Sequence, residues 1–498
     1  MPTTRQLLRK TITYSAAKTE EFNILHQVTY HSEQTRFFAQ LYDNREWMKA
    51  AVTHHLGLKS SAECHVAEIE NWLHGSFNVC VPVTIDSWPG KRVLMRFPLP
   101  YRLGEKFRPG NCDEKLRCEA GAYAWLQKNC PEVPIPGLYG FALSTGETFT
   151  REDFMSFFPR CFQLLRRKII SWLYNSALSD YVHHLNTDPS FVEHLPNSGY
   201  LLIEFIEKTG GSRLSNTWLK GQHDPKLRAN LFRDLSRILL NMTRVPVPEI
   251  GSFIIDNDGF LRLANRPLSM VLQQLENEEI PADIPRDYTY STLDSYVVDL
   301  LGVHDNRFRF QPNAINHLGD CAYQLSMLTT MRTIFQSIFS RTFRRGPFVF
   351  VLTDLHQSNI FVDAAWHITC LVDLEWACTQ PVEMLGPPYW LLSKGVDQTT
   401  TAEYDPIGRE FMEVLSTQEQ EQEPDSAITP YRADASGLRL SDFMHAPGKE
   451  ERSNYDEEFQ VAMPFFFEKN LGAIVARKLA DREQYDGELE EAFKGDAG

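Results

Sequence analysis

The chain has 498 residues, 43% of them hydrophobic and 23% charged, so it is long enough to bury one large core or two adjoining ones. Its net charge of −15 argues against nucleic acid or an anionic membrane as a partner, and no apolar run approaches the ~20 residues that span a bilayer. The nine cysteines are scattered without a CxxC pair. We therefore expect no zinc site, no disulfide framework and a reducing, intracellular compartment.

The N-terminus is basic, because the first acidic residue is Glu20 and four basic residues precede it among several Ser and Thr residues: Arg5, Arg9, Lys10 and Lys18. This composition resembles a mitochondrial transit segment, and the alternative is a frayed basic terminus. We predict a cytoplasmic location, with a mitochondrial one as the alternative. Residues 1–70 are helix-prone without a chemical motif, which predicts an N-terminal helical extension.

Residues 71–150 are predicted to form strands with one helix. Residues 75–85 form a strand-like run opened by a lone glycine, and residues 92–97 are a second strand candidate. Asn111 is the predicted N-cap of a helix that ends near Asn129, with Glu114 at the capping-box position.

A stretch rich in Phe, Arg and His follows at residues 151–198, and we interpret it as an insertion. Within it, His183 and His184 lack partners at metal-ligand spacing, so we expect them on a solvated helix face. Residues 201–206 are apolar apart from one Glu and are predicted to form a further strand.

The strongest chemical signal lies at residues 348–376. Residues 348–352 are a continuous apolar run of buried-strand length, and a polar loop follows at residues 353–359. Residues 360–362 and 368–372 are two more short strands. The pattern predicts that Asp354, Asn359 and Asp373 lie together at neighbouring strand ends.

These three residues suit phosphoryl transfer. One carboxylate orients the attacking hydroxyl and accepts its proton, while an amide oxygen and a second carboxylate hold Mg²⁺. Asp354 would be the base, and Asn359 and Asp373 would be the metal ligands. The alternative is a structural Asx-turn between two hairpin strands.

With these residues in place, the chain resembles the aminoglycoside phosphotransferase family, and more closely its fungal phosphotransferase-like branch. The resemblance covers roughly residues 70–395 and includes four further segments, which are Asn265-Arg266-Pro267-Leu268, His304-Asp305-Asn306-Arg307, Gln311-Pro312-Asn313-Ala314 and Pro387-Pro388-Tyr389-Trp390. It implies an α+β, bilobal protein-kinase-like fold, with a small β-rich N-lobe (71–206), a larger helical C-lobe (207–400) and ATP between them. The resemblance assigns Asp354, Asn359 and Asp373 the same roles and matches His356 to a supporting histidine of the loop.

The resemblance also implies a nucleotide site. Arg96 is the candidate phosphate anchor, with Glu119 on the following helix as its ion-pair partner. Six further residues fall where a nucleotide-covering loop and an inter-lobe hinge would lie: Ser76, Phe77 and Asn78 in the loop, and Glu204, Phe205 and Ile206 in the hinge.

Two departures from the family pattern bear on activity. Leu352-Thr353 stands where His-Gly commonly precedes the catalytic Asp, and Arg96 stands where lysine is usual; a guanidinium differs in shape from an ammonium. We predict an ATP- and Mg²⁺-dependent phosphotransferase with a small-molecule hydroxyl as acceptor. The alternative is a catalytically weak or inactive kinase-like binding or scaffold protein. A protein kinase is disfavoured, because the sequence has no His-Arg-Asp, Asp-Phe-Gly or Ala-Pro-Glu segment.

The last region, residues 401–498, is an acidic tail with 23 acidic and 10 basic residues. We predict a polar, disordered stretch around residues 418–424, followed by charged helices. Residues 455–493 are amphipathic and are expected to dock on the C-lobe. The acceptor's identity and the oligomeric state stay open at this point.

Overall fold

The structure is a computed structural model that describes residues 4–87, 92–155, 160, 163, 165–170, 177–185, 194, 196–207, 210–394, 401–422 and 471–494. Over these ranges the chain is a mixed α+β protein, as the sequence predicts, with one large antiparallel sheet and several smaller ones.

The strands are β1 Thr4–Gln6, β2 Thr11–Thr13, β3 Cys64–Val66, β4 Leu73–His74, β5 Asn78–Ile85, β6 Arg92–Pro98, β7 Leu138–Ala142, β8 Glu147–Arg151, β9 Tyr181–Leu185, β10 Tyr200–Glu204, β11 Ser212–Arg213, β12 Ser252–Ile255, β13 Leu261–Asn265, β14 Phe348–Leu352, β15 Ile360–Val362, β16 Ile368–Leu371 and β17 Ala377–Pro381.

The α-helices are α1 Tyr14–Ala17, α2 Ile24–Gln27, α3 Tyr30–Asp43, α4 Arg45–Leu56, α5 Pro100–Leu103, α6 Asn111–Asn129, α7 Trp218–Gly221, α8 Pro225–Thr243, α9 Met270–Asn277, α10 Leu293–Phe310, α11 Leu318–Ile338, α12 Thr401–Gln422 and α13 Leu471–Phe493.

The large sheet has the strand order β3-β5-β6-β10-β7-β8-β9, and β4 also pairs with β5. Strand β6 lies between β5 and β10, where Arg96 is opposite Cys80 on one side and Leu201 on the other. Strand β6 is largely buried on both faces, so a charged side chain on it needs partners within the protein.

The period-two alternation along β6 decides which face carries Arg96. Val93, Met95 and Phe97 point to a core beneath α3 and α4, whose members include Trp47. Leu94 and Arg96 therefore point to the opposite face. On that face Leu94 packs against the larger core that contains much of α6.

Helix α6 begins differently from the prediction. Its N-cap is Gly110, whose left-handed φ of 91° suits a residue without Cβ, so the predicted Asn111 cap is wrong. Both Asn111 and Glu114 are buried. Glu114 belongs to a group that we call the Arg266 cluster, which consists of Glu114, Arg266, Glu276 and Arg286, and Asn111 donates to Glu276 of that cluster.

Helix α6 packs against strands β12 and β14, which come later in the chain than the large sheet. Helix α8 starts at Pro225 with Asp224 as a capping residue that accepts from two backbone N–H groups. Strand β14 pairs with β17 along its whole length. The ring of Trp125 on α6 stacks on Phe350 of β14 at a centroid distance of 4.2 Å, so the helix also packs against the strand that leads to Asp354.

Three local predictions are wrong. The basic N-terminus is not frayed, because residues 4–13 form the β1–β2 hairpin. His183 and His184 lie in β9, paired with β8, and not on a helix. Residues 418–422 belong to α12, where Gln418 is buried and accepts a hydrogen bond from Arg237; residues 423–424 lie outside the described ranges.

The end of the chain docks as the amphipathic pattern predicts, within the part that the structure describes. Helix α13 packs against α11 and the N-terminal segment, where Tyr485 and Leu489 share a core with Leu7. Lys478 is fully buried and donates to the Gln311 carbonyl at 2.9 Å. Among the helices described, none is both long and apolar enough to cross a membrane.

Candidate active site

The loop between β14 and β15 brings Asp354 and Asn359 together. Asn359 is 6% exposed and donates from Nδ2 to the Asp354 carbonyl at 2.9 Å, with the Asp354 carboxylate oxygen Oδ2 at 3.5 Å. Thr353 donates from Oγ1 to the Trp376 carbonyl at 2.6 Å. The loop is therefore closed on itself and fixed to the chain that follows Asp373.

The pairing of β15 with β16 places Asp373 beside this loop. Ile360 is opposite Leu371, and the Val372 N–H donates to the Asn359 carbonyl at 2.9 Å. Asp373 has a left-handed φ of 67°, which is uncommon for a residue other than glycine and occurs often at functional sites. The predicted grouping of Asp354, Asn359 and Asp373 at neighbouring strand ends is thus present in the structure.

The carboxylate of Asp354 stands in an environment that disfavours its charge. Burial, followed by repulsion from Asp373 and Glu375, raises the pKa of Asp354 to about 7. A carboxyl group with a pKa near neutrality holds a proton more readily than an ordinary aspartate and can both accept and release one near pH 7.

His356 contacts both the backbone of its own turn and the side chain of Asp354. Its Nδ1 accepts from the Ser358 N–H at 3.1 Å, which caps the short turn that contains Asn359. The neutral ring therefore carries its proton on Nε2, and this atom lies 3.7 Å from Asp354 Oδ1. Burial lowers the pKa of His356, so the neutral ring is favoured.

Arg96 lies on β6 at the centre of a buried charged group. Its guanidinium forms ion pairs with Asp373, with Glu375 at 2.9 Å and with Glu119 at 3.2 Å, so the predicted contact with Glu119 is present. Burial alone would lower the pKa of Arg96, but the three carboxylates outweigh it and raise that pKa well above its usual value.

Sequence reasoning missed two members of this group, Lys115 and Glu375. Lys115 Nζ lies 2.5 Å from Glu375 and 3.5 Å from Glu119. Burial disfavours the charge of Glu375, yet Lys115 and Arg96 lower the pKa of Glu375 to about 2. The signal for Lys115 was its position four residues before Glu119, which places both on one face of α6.

We call the group Arg96, Lys115, Glu119, Asp373 and Glu375 the site cluster. It has two cations and three carboxylates, and the carboxylate of Asp354 borders it. Glu119 is 1% exposed, yet neither of its carboxylate oxygens accepts a hydrogen bond. Burial raises the pKa of Glu119. The site cluster therefore has three carboxyl groups for two cations, and one of these carboxyl groups accepts no hydrogen bond.

The predicted nucleotide-covering residues lie beside the site cluster but differ in exposure. Ser76 is exposed, and its carbonyl accepts from Arg102 at 3.0 Å. Phe77 is buried edge-to-face against Trp376. Asn78 is 5% exposed, donates to Glu375 at 2.6 Å and accepts from Lys115 at 2.7 Å. Asn78 is thus held by the site cluster, and Ser76 is the member of this trio that faces solvent.

The predicted hinge residues lie at the end of β10 and just beyond it. Glu204 ends that strand, is exposed, and accepts from the Gly137 N–H at 3.0 Å. The Phe205 ring lies 3.8 Å from the Arg92 guanidinium, and Ile206 is partly buried. Because Leu201 of the same strand is opposite Arg96, these residues lie a few positions along β10 from the site cluster.

The donor set can be tested against the magnesium ion that the sequence implies. Among the described residues, no group of three or more His, Cys, Asp and Glu side chains could hold a metal ion alone. Magnesium, however, takes few protein ligands and keeps waters and phosphate oxygens. The oxygen-bearing side chains of Asn359 and Asp373 fit such a partly hydrated ion.

Comparison of the sequence with models of protein families gives no match, and comparison with curated proteins gives no match either.

Proposed function

We propose that this protein is an ATP- and magnesium-dependent phosphotransferase that transfers a phosphoryl group to a hydroxyl of a small molecule. The observation that carries the proposal is the grouping of Asp354, Asn359 and Asp373, with Asp373 paired to the buried guanidinium of Arg96. A base, two oxygen ligands for a metal and a fixed cation are the parts that phosphoryl transfer requires.

The proposal includes a kinase-like, bilobal arrangement and membership of the aminoglycoside phosphotransferase family. The large sheet with α6 would form the N-lobe, and residues 207–400 would form the C-lobe, with ATP between them. The position of Arg96 on a central strand, its contact with Glu119 on the next helix, and the loop that carries Asp354 in the other half support this assignment.

In this proposal Asp354 accepts the proton of the acceptor hydroxyl. Its raised pKa of about 7 supports the role, because general base catalysis is most effective when the pKa is near the working pH. Asn359 and Asp373 would hold the magnesium ion, which when bound neutralises phosphate charge. Arg96 would contact the phosphates and keep its charge at any working pH.

The experiment is a magnesium-dependent ATP-consumption assay with a panel of cationic and neutral small alcohols, comparing the parent with Asp354→Asn. The substitution keeps the size of the side chain and removes the proton acceptor. Turnover should fall by about 10²–10⁴-fold, or about 3–5 kcal/mol of barrier, with ATP affinity and melting temperature little changed. Equal turnover in both proteins would exclude Asp354 as the base.

A second candidate is a non-catalytic, kinase-like binding or scaffold protein. One observation favours it: the Arg96 guanidinium is contacted by three carboxylates, so a phosphate group would have to compete with them. Under this reading the parent protein would show no magnesium-dependent ATP binding at all, and Asp354→Asn would change only stability.

A further inference from the structure

A single oxygen of Glu375 collects donors from three elements of the main sheet and its helix. Glu375 Oε2 accepts from Asn78 Nδ2 at 2.6 Å, from Arg96 Nη2 at 2.9 Å and from Lys115 Nζ at 2.5 Å. Asn78 is on β5, Arg96 on β6 and Lys115 on α6. Glu375 follows Asp373 by two residues, so this oxygen connects the Asp373 segment to all three elements.

Lys115 has no access to solvent. Its side chain is 0% exposed, and its ammonium group is surrounded by oxygens of Glu375, Asn78 and Glu119 at 2.5, 2.7 and 3.5 Å. An ammonium group so enclosed does not touch a nucleotide or an acceptor. If Lys115 influences the site, it does so through the residues that it holds.

Arg96 shares one nitrogen between two carboxylates. Its Nη2 bonds to Glu375 and also to Asp373, the residue that stands nearer the solvent. With Lys115 present, the negative charge of Glu375 is shared between two cations, so Glu375 attracts the Arg96 guanidinium less strongly. Without Lys115, Glu375 would be compensated by Arg96 alone, which would draw the guanidinium inward and away from Asp373.

We propose that Lys115 and Glu375 are positioning residues that set where Arg96 and Asp373 stand relative to each other. This inference rests on the proposed function, because it assigns the pair to the phosphate- and metal-binding part of that site. Neither residue touches the ligand. The opposing account is that the pair is an ordinary buried ion pair that contributes only to stability.

The test uses the double variant Lys115→Met/Glu375→Gln of the full chain. Removing one partner of a buried ion pair leaves an uncompensated charge, whereas the double variant removes both charges with side chains of similar size. ATP affinity would be measured by calorimetry with and without Mg²⁺, beside the melting temperature. We expect a melting temperature near that of the parent and a roughly 10- to 100-fold weaker affinity for MgATP, the size typical of losing support to a metal-binding residue.

A matched control is Lys478→Met, since Lys478 is equally buried but bonds to Asp481 and to the Gln311 carbonyl in a distant part of the fold. It should lower stability and leave MgATP affinity unchanged. If the double variant binds MgATP as tightly as the parent, the positioning role is wrong. If the parent itself does not bind MgATP, the proposed function fails, and this inference falls with it.

Failure of the double variant to fold would not end the test, because Glu375→Gln alone keeps the volume of the side chain and leaves Glu119 and Asp373 as carboxylate partners for the two cations. We expect Glu375→Gln to weaken MgATP binding by about 10-fold with little change in melting temperature, and Lys115→Arg to keep most of the affinity by retaining the cation. MgATP affinity that changes only in step with stability in these variants would overturn the inference.

Discussion

Helix α6 contributes to two buried charged groups, and they differ in how completely their charges are compensated. In the Arg266 cluster two arginines face two glutamates, and Glu114 accepts four hydrogen bonds, from Asn265, Arg266 and Arg286, at 2.9–3.1 Å. In the site cluster, five residues further along the helix, Glu119 is equally enclosed but accepts no hydrogen bond.

This contrast suggests that the Arg266 cluster stabilises the fold, whereas the site cluster is suited to binding a ligand. In the Arg266 cluster the charges are balanced and the oxygens of Glu114 are hydrogen-bonded, so a ligand would satisfy no further polar group there. The site cluster has three carboxylates for two cations, borders Asp354 and keeps Asp373 28% exposed. A cation and the phosphates it carries would complete such a group.

Of the two α6 glutamates in these groups, Glu114 should give the larger loss of stability when it is replaced by Gln. Arg266 is 2% exposed and bonds to Glu114 through two nitrogens. Removing this carboxylate leaves Arg266 and Arg286 with Glu276 as the one carboxylate of the Arg266 cluster, and an uncompensated buried charge typically costs about 3–5 kcal/mol. Urea unfolding measures this loss, and a variant as stable as the parent would contradict the structural role assigned to the Arg266 cluster.

The next prediction concerns Arg96, which belongs to the site cluster, and it is measured as activity. Arg96→Ala removes the fixed cation and should raise the KM for ATP and lower kcat/KM by about 10²-fold, in the range for losing one electrostatic contact to a transition state. Arg96→Lys keeps the charge and should retain part of the activity. Arg117→Ala, on α6 but paired with Glu147 at 3.1 Å, is the control and should leave both constants unchanged. Parent-like constants in Arg96→Ala would place the phosphate contact elsewhere.

The smallest effect is expected from Glu119→Gln, the same substitution as Glu114→Gln on the same helix. Arg96 keeps Asp373 and Glu375, so no charge is left uncompensated. The carboxylate accepts no hydrogen bond that could be lost, and the stability loss should be about 1 kcal/mol or less. Urea unfolding of the two variants side by side gives the comparison directly. Equal losses of unfolding free energy in Glu114→Gln and Glu119→Gln would show that the Arg266 cluster and the site cluster contribute equally to stability.

The grouping of Asp354, Asn359 and Asp373 could be predicted because it depends on local features. Apolar strands of buried length fix where each loop begins, and antiparallel pairing of β15 with β16 returns Asp373 to Asn359. The pairing of Arg96 with Glu119 is expected only from the resemblance to the aminoglycoside phosphotransferase family, and no local pattern indicates it.

The rest depends on contacts between distant segments. Lys115 is held by Asn78 and Glu375, which are 37 and 260 residues away along the chain, and no local pattern encodes that meeting. Glu114 fits a capping box in sequence, yet Arg266 provides it with a buried partner instead. Residues 418–422 look disordered by composition, but tertiary contacts such as Arg237 with Gln418 hold them in α12.

Magnesium-dependent binding of ATP at the site cluster and its neighbours can be measured by calorimetric titration of ATP with and without Mg²⁺, on the parent and on Asp373→Asn. Mg²⁺ should strengthen ATP binding by the parent, and Asp373→Asn should lose roughly 10-fold or more of that gain while affinity without Mg²⁺ stays the same. If the affinity of the parent for ATP does not respond to Mg²⁺, the site cluster does not bind a nucleotide through magnesium.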